Sequence, residues 1–343
     1  MSDEITVLQS FPEPRPTTNP YVVMLRRSLE DEPALRVLTF TWRQALLGRY
    51  DLFHVHWPEI LVSGRSSAKA WVRRALFLAL LLRLRLTGTP MVRTLHNLRP
   101  QEGVPRPAAL LLRLAERWTS LSVRLNETTP VDERSPHVTI PHGHYRDWFA
   151  AHQAPPRERH RAVFVGLIRP YKNVDGLIRA FRTTADRAPR VRLQIAGEPA
   201  SPKLADTLRI AAAGEPRVAL SLEFLSDERL VEAVSRAELV VLPYREMHNS
   251  GAALMALSLD RPVLLPDNEV NARLAAEVGA DWVIRYDGEL TGQVLLAALE
   301  EAGHIPPEAR PDLSRREWDR TGADHTAAYR LALQVPGRRV PGA

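Results

Sequence analysis

The sequence contains no cysteine. Disulfide and thiolate chemistry are therefore excluded, and a reducing compartment suits the chain. Long apolar runs are missing as well. In the segment richest in leucine the uninterrupted run is Ala75 to Leu82, far short of the roughly 20 residues that a membrane span needs. The opening MSDEITVLQS has no positively charged stretch ahead of an apolar core and does not read as a signal peptide, so a cytoplasmic location is expected. Neither a G-x-x-x-x-G-K-[ST] P-loop nor a strand-linked G-x-G-x-x-G fingerprint occurs. No H-E-x-x-H pair is present; His54 and His56, like His142 and His144, lie only two apart, and no metal is expected. Aromatic residues make up 6%, thin material for the base stacking of a nucleic-acid binder. From Ile60 to Gln101 there is no Asp or Glu, against eight Arg or Lys.

What is present is a globular composition, 45% hydrophobic and 25% charged, over 343 residues, a length that suits two domains. The net charge of +6 attracts anions of several kinds: nucleic acid, anionic lipid, sugar nucleotides. Apolar runs at 5–8, 35–40, 52–56, 91–95, 121–125 and 138–140 alternate with helical patterns. That alternation predicts an α/β fold with mostly parallel strands. The pattern breaks between Asp147 and Arg161, where paired prolines and charges sit. It resumes with strands at 162–165, 191–195, 218–220, 239–242, 262–265 and 282–284. The expected domains are 1–150 and 160–312, followed by 313–343, with a helix over about Ser314 to Leu333 and a frayed tail.

The second half is organised around Leu239 to Pro266, a strand, a polar loop, a helix and a second strand. In such sheets ligands sit outside the carboxyl ends of strands. Ser250 and Gly251 open the helix, whose free N–H groups suit an anion; Asn249 or Ser250 can cap it. GLIRPYKN, 166–173, is a second such loop. Gly166 permits a tight exit from its strand, and Arg169 and Lys172 put two cations beside the next helix. Each loop alone could be plain solvated surface; two at strand ends in one domain point to a diphosphate.

In the first half three polar clusters follow strands: His56/Trp57/Glu59, His96/Asn97 and His142/His144/Tyr145. A single histidine there is as readily a packing residue, but three clusters point to a site. Arg65 to Leu86 reads as a helix about 33 Å long. Arg65, Lys69 and Arg73 recur four apart on one face, and Trp71, Phe77 and many leucines supply apolar bulk. Two readings stay open, an interfacial helix on anionic lipid and a core helix whose arginine stems reach water.

VFVGLIRPYKNVDGLIRAF (163–181), LQIAG (193–197) and LPYREMHNSGAALMALSLDRPVLLPD (242–267) resemble the donor half of GT-B glycosyltransferases of the GT4-like group. HVHWPE (54–59), TLHN (94–97) and IPHGHY (140–145) agree in the first half and occur in the expected order. The resemblance implies two Rossmann-like domains with parallel sheets facing across a cleft. The first would bind the acceptor and the second a nucleoside-diphosphate sugar, GDP- or UDP-linked, with no other cofactor. The C-terminal helix would pack back on the first domain. Donor contacts would come from Gly166, Arg169, Lys172, Gly197, Glu246, Asn249, Ser250 and Gly251. Asn19, Tyr21, Asn97, His142, His144 and Tyr145 would line the cleft. Glu59, His96 and His56, in that order, are the candidates for catalytic base, with His96 also placed to position the donor sugar.

The chain departs from the group's pattern. Met247 and Met255 stand where two glutamates are usual, Leu167 replaces an arginine, Asp260 a glycine, and TTNPY (17–21) a glycine-rich loop. A thioether cannot supply a carboxylate's charge-assisted hydrogen bonds; Glu246 is adjacent and could replace the first. These changes suggest a branch near exopolysaccharide or glycolipid β-mannosyl and glucuronosyl transferases. They leave open whether the reaction retains or inverts. The expected activity moves a hexose or uronic acid to a hydroxyl of a lipid-linked saccharide or glycolipid, at the inner face of the plasma membrane. A soluble small-molecule acceptor, a nucleotide-sugar epimerase, and a non-catalytic nucleic-acid or anionic-lipid binder are the alternatives.

Overall fold

A computed structural model describes residues 4–64, 66–97, 104–132 and 134–334; Arg65, Gln101 and the tail beyond Gln334 lie outside them. The chain forms two compact units, one running to Gly143 and rejoined from Arg316, the other spanning His144–Arg315. No helix among the described residues is long and apolar enough to cross a membrane.

The first unit is built on β1 (Ile5–Gln9), β2 (Leu35–Leu38), β3 (Leu52–Val55), β4 (Met91–Leu95), β5 (Leu121–Arg124) and β6 (His137–Thr139). They form one parallel sheet in the order β2-β1-β3-β4-β5-β6. The chain leaves β1 toward one edge and returns on its other side at β3. The point where the strand order reverses therefore lies between β1 and β3, where parallel sheets place ligands. Gln9 pairs with His54 across that point, and β4 lies directly beyond β3. Three strand ends carrying Gln9, His56 and His96 thus come together.

The helix Ser67–Thr87 starts at Ser66, whose Oγ accepts the Lys69 N–H, and ends at Gly88 in the left-handed region, φ 69°. Its inner face buries Ala70, and Phe77, Leu80, Leu81 and Leu84 join the core with Phe53, Val55 and Met91. Its outer face exposes Trp71, Val72, Leu78, Leu82 and Leu86. Not all of its cations face outward. The Arg83 guanidinium turns in to the Ala45 carbonyl at 2.8 Å, while Lys69 and Arg73 stay exposed. The C-terminal region is not one helix from Ser314. Two short 3-10 turns, Ser314–Arg316 and Trp318–Arg320, precede the helix Thr321–Gln334. The Trp318 carbonyl accepts from Ser28 Oγ at 2.9 Å and the Trp318 ring packs against Tyr21 at 5.8 Å. These tertiary contacts outweigh a helical pattern read locally. The helix then packs on Pro20–Glu30.

The second unit holds β7 (Arg161–Val165), β8 (Arg192–Ala196), β9 (Val218–Ser221), β10 (Leu239–Val241), β11 (Val263–Pro266) and β12 (Val283–Tyr286). They are parallel in the order β12-β11-β10-β7-β8-β9. Here the order reverses between β7 and β10, so the loops after those two strands flank the switch point. This unit begins before the proline-rich break seen in the sequence. The Tyr145 N–H bonds to Ser258 Oγ at 2.8 Å, Arg146 pairs with Asp260 at 3.1 Å, and Trp148 Nε1 donates to Asp227 at 2.9 Å. His144 and Tyr145 therefore belong to the second unit and His142 to the first, dividing a cluster that is contiguous in sequence.

Candidate active site

In the second unit the loops after β7 and β10 are tied to each other. The Arg245 N–H bonds to the Tyr171 carbonyl at 2.9 Å, and the Arg245 guanidinium reaches Asn173 Oδ1 at 3.3 Å. Gly166 leaves β7 at φ 107° and Gly197 leaves β8 at φ 154°. A Cβ on Gly197 would lie 2.0 Å from the Gly166 carbonyl oxygen, so only glycine permits this approach of two strand ends. Lys172, at the end of the Pro170–Lys172 turn, is buried. Its ammonium lies 4.9 Å from the Tyr244 ring centre and 5.9 Å from that of Phe164. Among the described residues no carboxylate pairs with it. Burial first, and the Arg169 charge second, pull its pKa down to about 8. The helix Gly251–Ser258 follows the loop after β10, capped by Ser250 Oγ on the Ala253 N–H at 3.2 Å. A Cβ on Gly251 would sit 3.3 Å from the Tyr145 hydroxyl, so Tyr145 reaches the mouth of this helix.

Met247 and Met255 are both buried. Asn271 Nδ2 lies 3.5 Å from the Met247 sulfur, and Asn268 Nδ2 donates to the Met247 carbonyl at 3.1 Å. The thioether is packed in place, and Glu246 beside it is exposed on the loop.

In the first unit the strand ends hold a system of buried rings. Trp57 follows β3 with φ 31°, a conformation that a bulky residue adopts only when its surroundings impose it. It stacks on His96 at 3.9 Å and 19°. His96 Nε2 lies 3.1 Å from His56 Nδ1. His56 is 2% exposed, and its Nε2 meets Gln9 Oε1 at 3.2 Å. Burial lowers the His56 pKa to about 3 and the His142 pKa to about 4. Burial, then the His56 and His142 rings, hold His96 well below the usual range. Tyr21 wedges among them, 4.5 Å from His142 and edge-on to His96 at 5.2 Å. Asn19 caps the Tyr21 helix, its Oδ1 accepting the Tyr21 N–H at 3.0 Å. Glu59 opens the short helix Glu59–Val62, two residues beyond Trp57, and Asn97 is exposed beyond β4.

Gln9 and Tyr329 are not singled out by any motif, and Thr94, though it opens TLHN, is not among the candidate site residues. Gln9 ends an otherwise apolar strand and Tyr329 lies in the C-terminal helix. A glutamine closing an apolar strand was the one available signal; nothing local marks Tyr329.

The geometry agrees with the comparisons. Residues 159–292 match the family described as glycosyl transferases group 1. The GDP-mannose:glycolipid 4-β-D-mannosyltransferase of Xanthomonas campestris pv. campestris is 44% identical over 334 residues, covering 97% of this chain and 94% of that protein. This chain belongs to the group 1 glycosyltransferases. The fold of this glycosyltransferase is GT-B. HepE of Anabaena, solved in complex with UDP and glucose, is 12% identical with a TM-score of 0.61, covering 97% of this chain and 98% of that one. An E. coli structure described as trehalose-6-phosphate bound with UDP-2-fluoro glucose has a TM-score of 0.64 at 12% identity, covering 96% and 100%. In this glycosyltransferase Met247 and Met255 are buried, and Arg169 and Lys172 follow β7.

Proposed function

We propose that this glycosyltransferase moves mannose from GDP-mannose to a hydroxyl of a glycolipid, with inversion at the sugar. The observation that carries this reading is the 44% identity, across 97% of the chain, to a relative named for that transfer. The site chemistry suits it. A leaving nucleoside diphosphate accumulates negative charge, and Lys172, Arg169 and the N–H groups opening the Gly251–Ser258 helix stabilise it. Lys172 is held by aromatic faces instead of an acid, so an incoming phosphate meets no competing carboxylate. Met247 and Met255 remove the carboxylates expected beside the donor, in keeping with a branch whose stereochemistry differs. Inversion requires one base for the acceptor hydroxyl. His56 has both ring nitrogens committed inside the unit, which leaves Glu59 as the carboxylate candidate and His96 as the histidine that meets a sugar hydroxyl.

A panel of GDP- and UDP-sugars, each offered with and without a glycolipid acceptor, tests the assignment. GDP-mannose should be consumed only when acceptor is present, giving a product cleaved by β-mannosidase. Preferential use of a UDP-sugar overturns the donor assignment; isomerisation of donor without acceptor points to an epimerase.

The same reading places the enzyme at an anionic membrane surface, where its acceptor resides. The support is the outward stripe of Trp71, Val72, Leu78, Leu82 and Leu86, on a helix whose first two turns also expose Lys69 and Arg73. Each cation close to anionic lipid contributes roughly 1 kcal/mol. Replacing both with Gln should weaken sedimentation with anionic vesicles by about 10-fold or more, and Trp71→Ser with Leu82→Ser should weaken it comparably. Transfer to a short soluble acceptor should be spared. A parent protein that ignores anionic vesicles at low salt removes this part of the proposal.

A further inference from the structure

The chain is built almost without lysine. Of its 46 lysines and arginines three are lysine, Lys69, Lys172 and Lys203. Lys69 and Lys203 are exposed, and Lys172 is buried. A buried guanidinium needs acceptors for five N–H donors in a fixed plane, whereas an ammonium is a compact charge that a ring face can carry. The ring nearest the Lys172 ammonium belongs to Tyr244, 4.9 Å away against 5.9 Å for Phe164. A Cβ on Gly166 would lie 3.8 Å from the same ammonium, so the charge stands at the end of β7, beside the switch point.

Tyr244 lies in the loop after β10 and is 5% exposed. Tyr171 stands edge-on to it, 5.8 Å between centres at 82°, and the next residue, Arg245, holds the Tyr171 carbonyl through its N–H. Ser250 is the polar neighbour of the Tyr244 hydroxyl, which is buried and closes no hydrogen bond of ordinary geometry among the described residues. Burial raises its pKa, so the ring stays neutral. What this tyrosine supplies is therefore a ring face. We infer that Tyr244 is a positioning residue of the donor site: its ring holds the Lys172 side chain at the end of β7 as a cation, in place of an acidic partner. This rests on the reading of Lys172 as the cation that meets the diphosphate. It goes beyond that reading in assigning the residue that keeps the charge there, on the same loop that leads to the Gly251–Ser258 helix.

The other charged and titratable groups around Lys172 do not supply that partner. On its own loop Arg169 repels it, and burial raises the pKa of Tyr171. On the loop after β10 the Arg245 guanidinium is engaged with Asn173, Glu246 is exposed, and burial holds His248 below the usual range. Glu198, after β8, is exposed, and Asp175, on the following helix, pairs with Arg179 at 2.7 Å. Burial and Arg169 both work against the charge. The ring faces are what favours it.

Lysine labelled with 13C at Cε in the full chain gives three signals, assigned with Lys172→Met, and each can be titrated by NMR. In the unliganded parent Lys172 should titrate at about pH 8. In Tyr244→Leu its pKa should fall by about half a unit to one unit, the scale of a lost cation–π contact. Tyr244→Phe should restore the parent value. A pKa that stays or rises in folded Tyr244→Leu overturns the proposal. This measurement contains no nucleotide, so its outcome is independent of the phosphate reading. Unchanged GDP affinity in Lys172→Met is the separate sign that the phosphate reading has failed.

Calorimetric titration of GDP at two pH values supplies the second arm. A diphosphate binds the charged lysine, and a lower pKa leaves less of it charged as pH rises. The loss of GDP affinity in Tyr244→Leu should therefore grow, from less than about 2-fold at pH 6.5 to about 2- to 5-fold at pH 8. Tyr244→Phe keeps the ring and should follow the parent at both. A merely structural role would lower Tm and weaken GDP equally at the two pH values. A pH-uniform loss, or a Tyr244→Phe as weak as Tyr244→Leu, overturns the assignment of the ring.

Discussion

Replacing Lys172 with methionine should weaken nucleotide binding about 100-fold and make the unliganded protein more stable. Lys172 is buried against Tyr244 and Phe164, and its pKa is drawn down to about 8 from 10.5. Burying a cation without a carboxylate partner costs folding free energy, and a methionine of similar length removes that cost. A gain of about 2 kcal/mol at pH 7 is the right order. The sign follows from proton uptake. Below about pH 8 the lysine is charged in both folded and unfolded chains, and the penalty is complete. Between about 8 and 10.5 the unfolded chain holds more protons, so the stability of the parent rises with pH and approaches that of Lys172→Met. Binding runs the other way. A diphosphate needs the cation, so GDP affinity should be level below about pH 8 and fall above it. Calorimetric titration of GDP and melting curves, each from pH 6 to 10, measure both effects. We expect GDP affinity reduced by about 100-fold in Lys172→Met, on the scale of a lost buried charge-assisted contact. Unchanged GDP affinity would falsify the phosphate role of this loop, whatever happens to stability.

His96→Ala should lower kcat by two to three orders of magnitude while GDP still binds. His96 sits at the end of β4, stacked beneath Trp57 and bonded to His56; the donor phosphates are assigned to the second unit. Loss of a group that acts on the sugar or acceptor in the transition state lowers kcat and kcat/KM together, without weakening the nucleotide. An effect of about 3–4 kcal/mol is what one well-placed polar contact supplies. The substitution also removes the ring on which Trp57 stacks, and Trp57 holds its unusual backbone only with such support. His96→Asn is therefore the companion variant, because it keeps a planar polar side chain there. If Asn and Ala lose activity alike with Tm preserved, the imidazole itself is required. If transfer stays at the parent rate in folded His96→Ala, His96 is a bystander and Glu59 stands alone. Parallel loss of GDP binding and of transfer would instead show a structural role.

The amino-acid sequence by itself determined the architecture. Alternating apolar runs and helical patterns specify parallel strands because only buried strands covered on both faces read that way. The strand positions follow with shifts of a residue or two. The grouping of Gly166, Arg169 and Lys172 was legible because it is local: glycine, cations and a helix start lie within eight residues. The family was legible for the same reason, in short motifs kept in order.

Tertiary structure decided what no local pattern encodes. It brought the loops after β7 and β10 to opposite sides of one switch point, although more than sixty residues of chain separate them. It assigned Tyr145 to the helix mouth at Gly251 and His142 to the ring system around Tyr21, three residues apart in sequence but in different units. It left Trp71, Val72 and Leu82 uncovered on a helix whose composition suited either a core or a surface. It buried His56 behind His96, which turned two similar histidines into a positioned pair. And it joined Gln9 to Tyr329 across 320 residues. A hydrogen bond between side chains so far apart leaves no periodic trace in the sequence, because its partners are chosen by where the sheet and the C-terminal helix happen to meet.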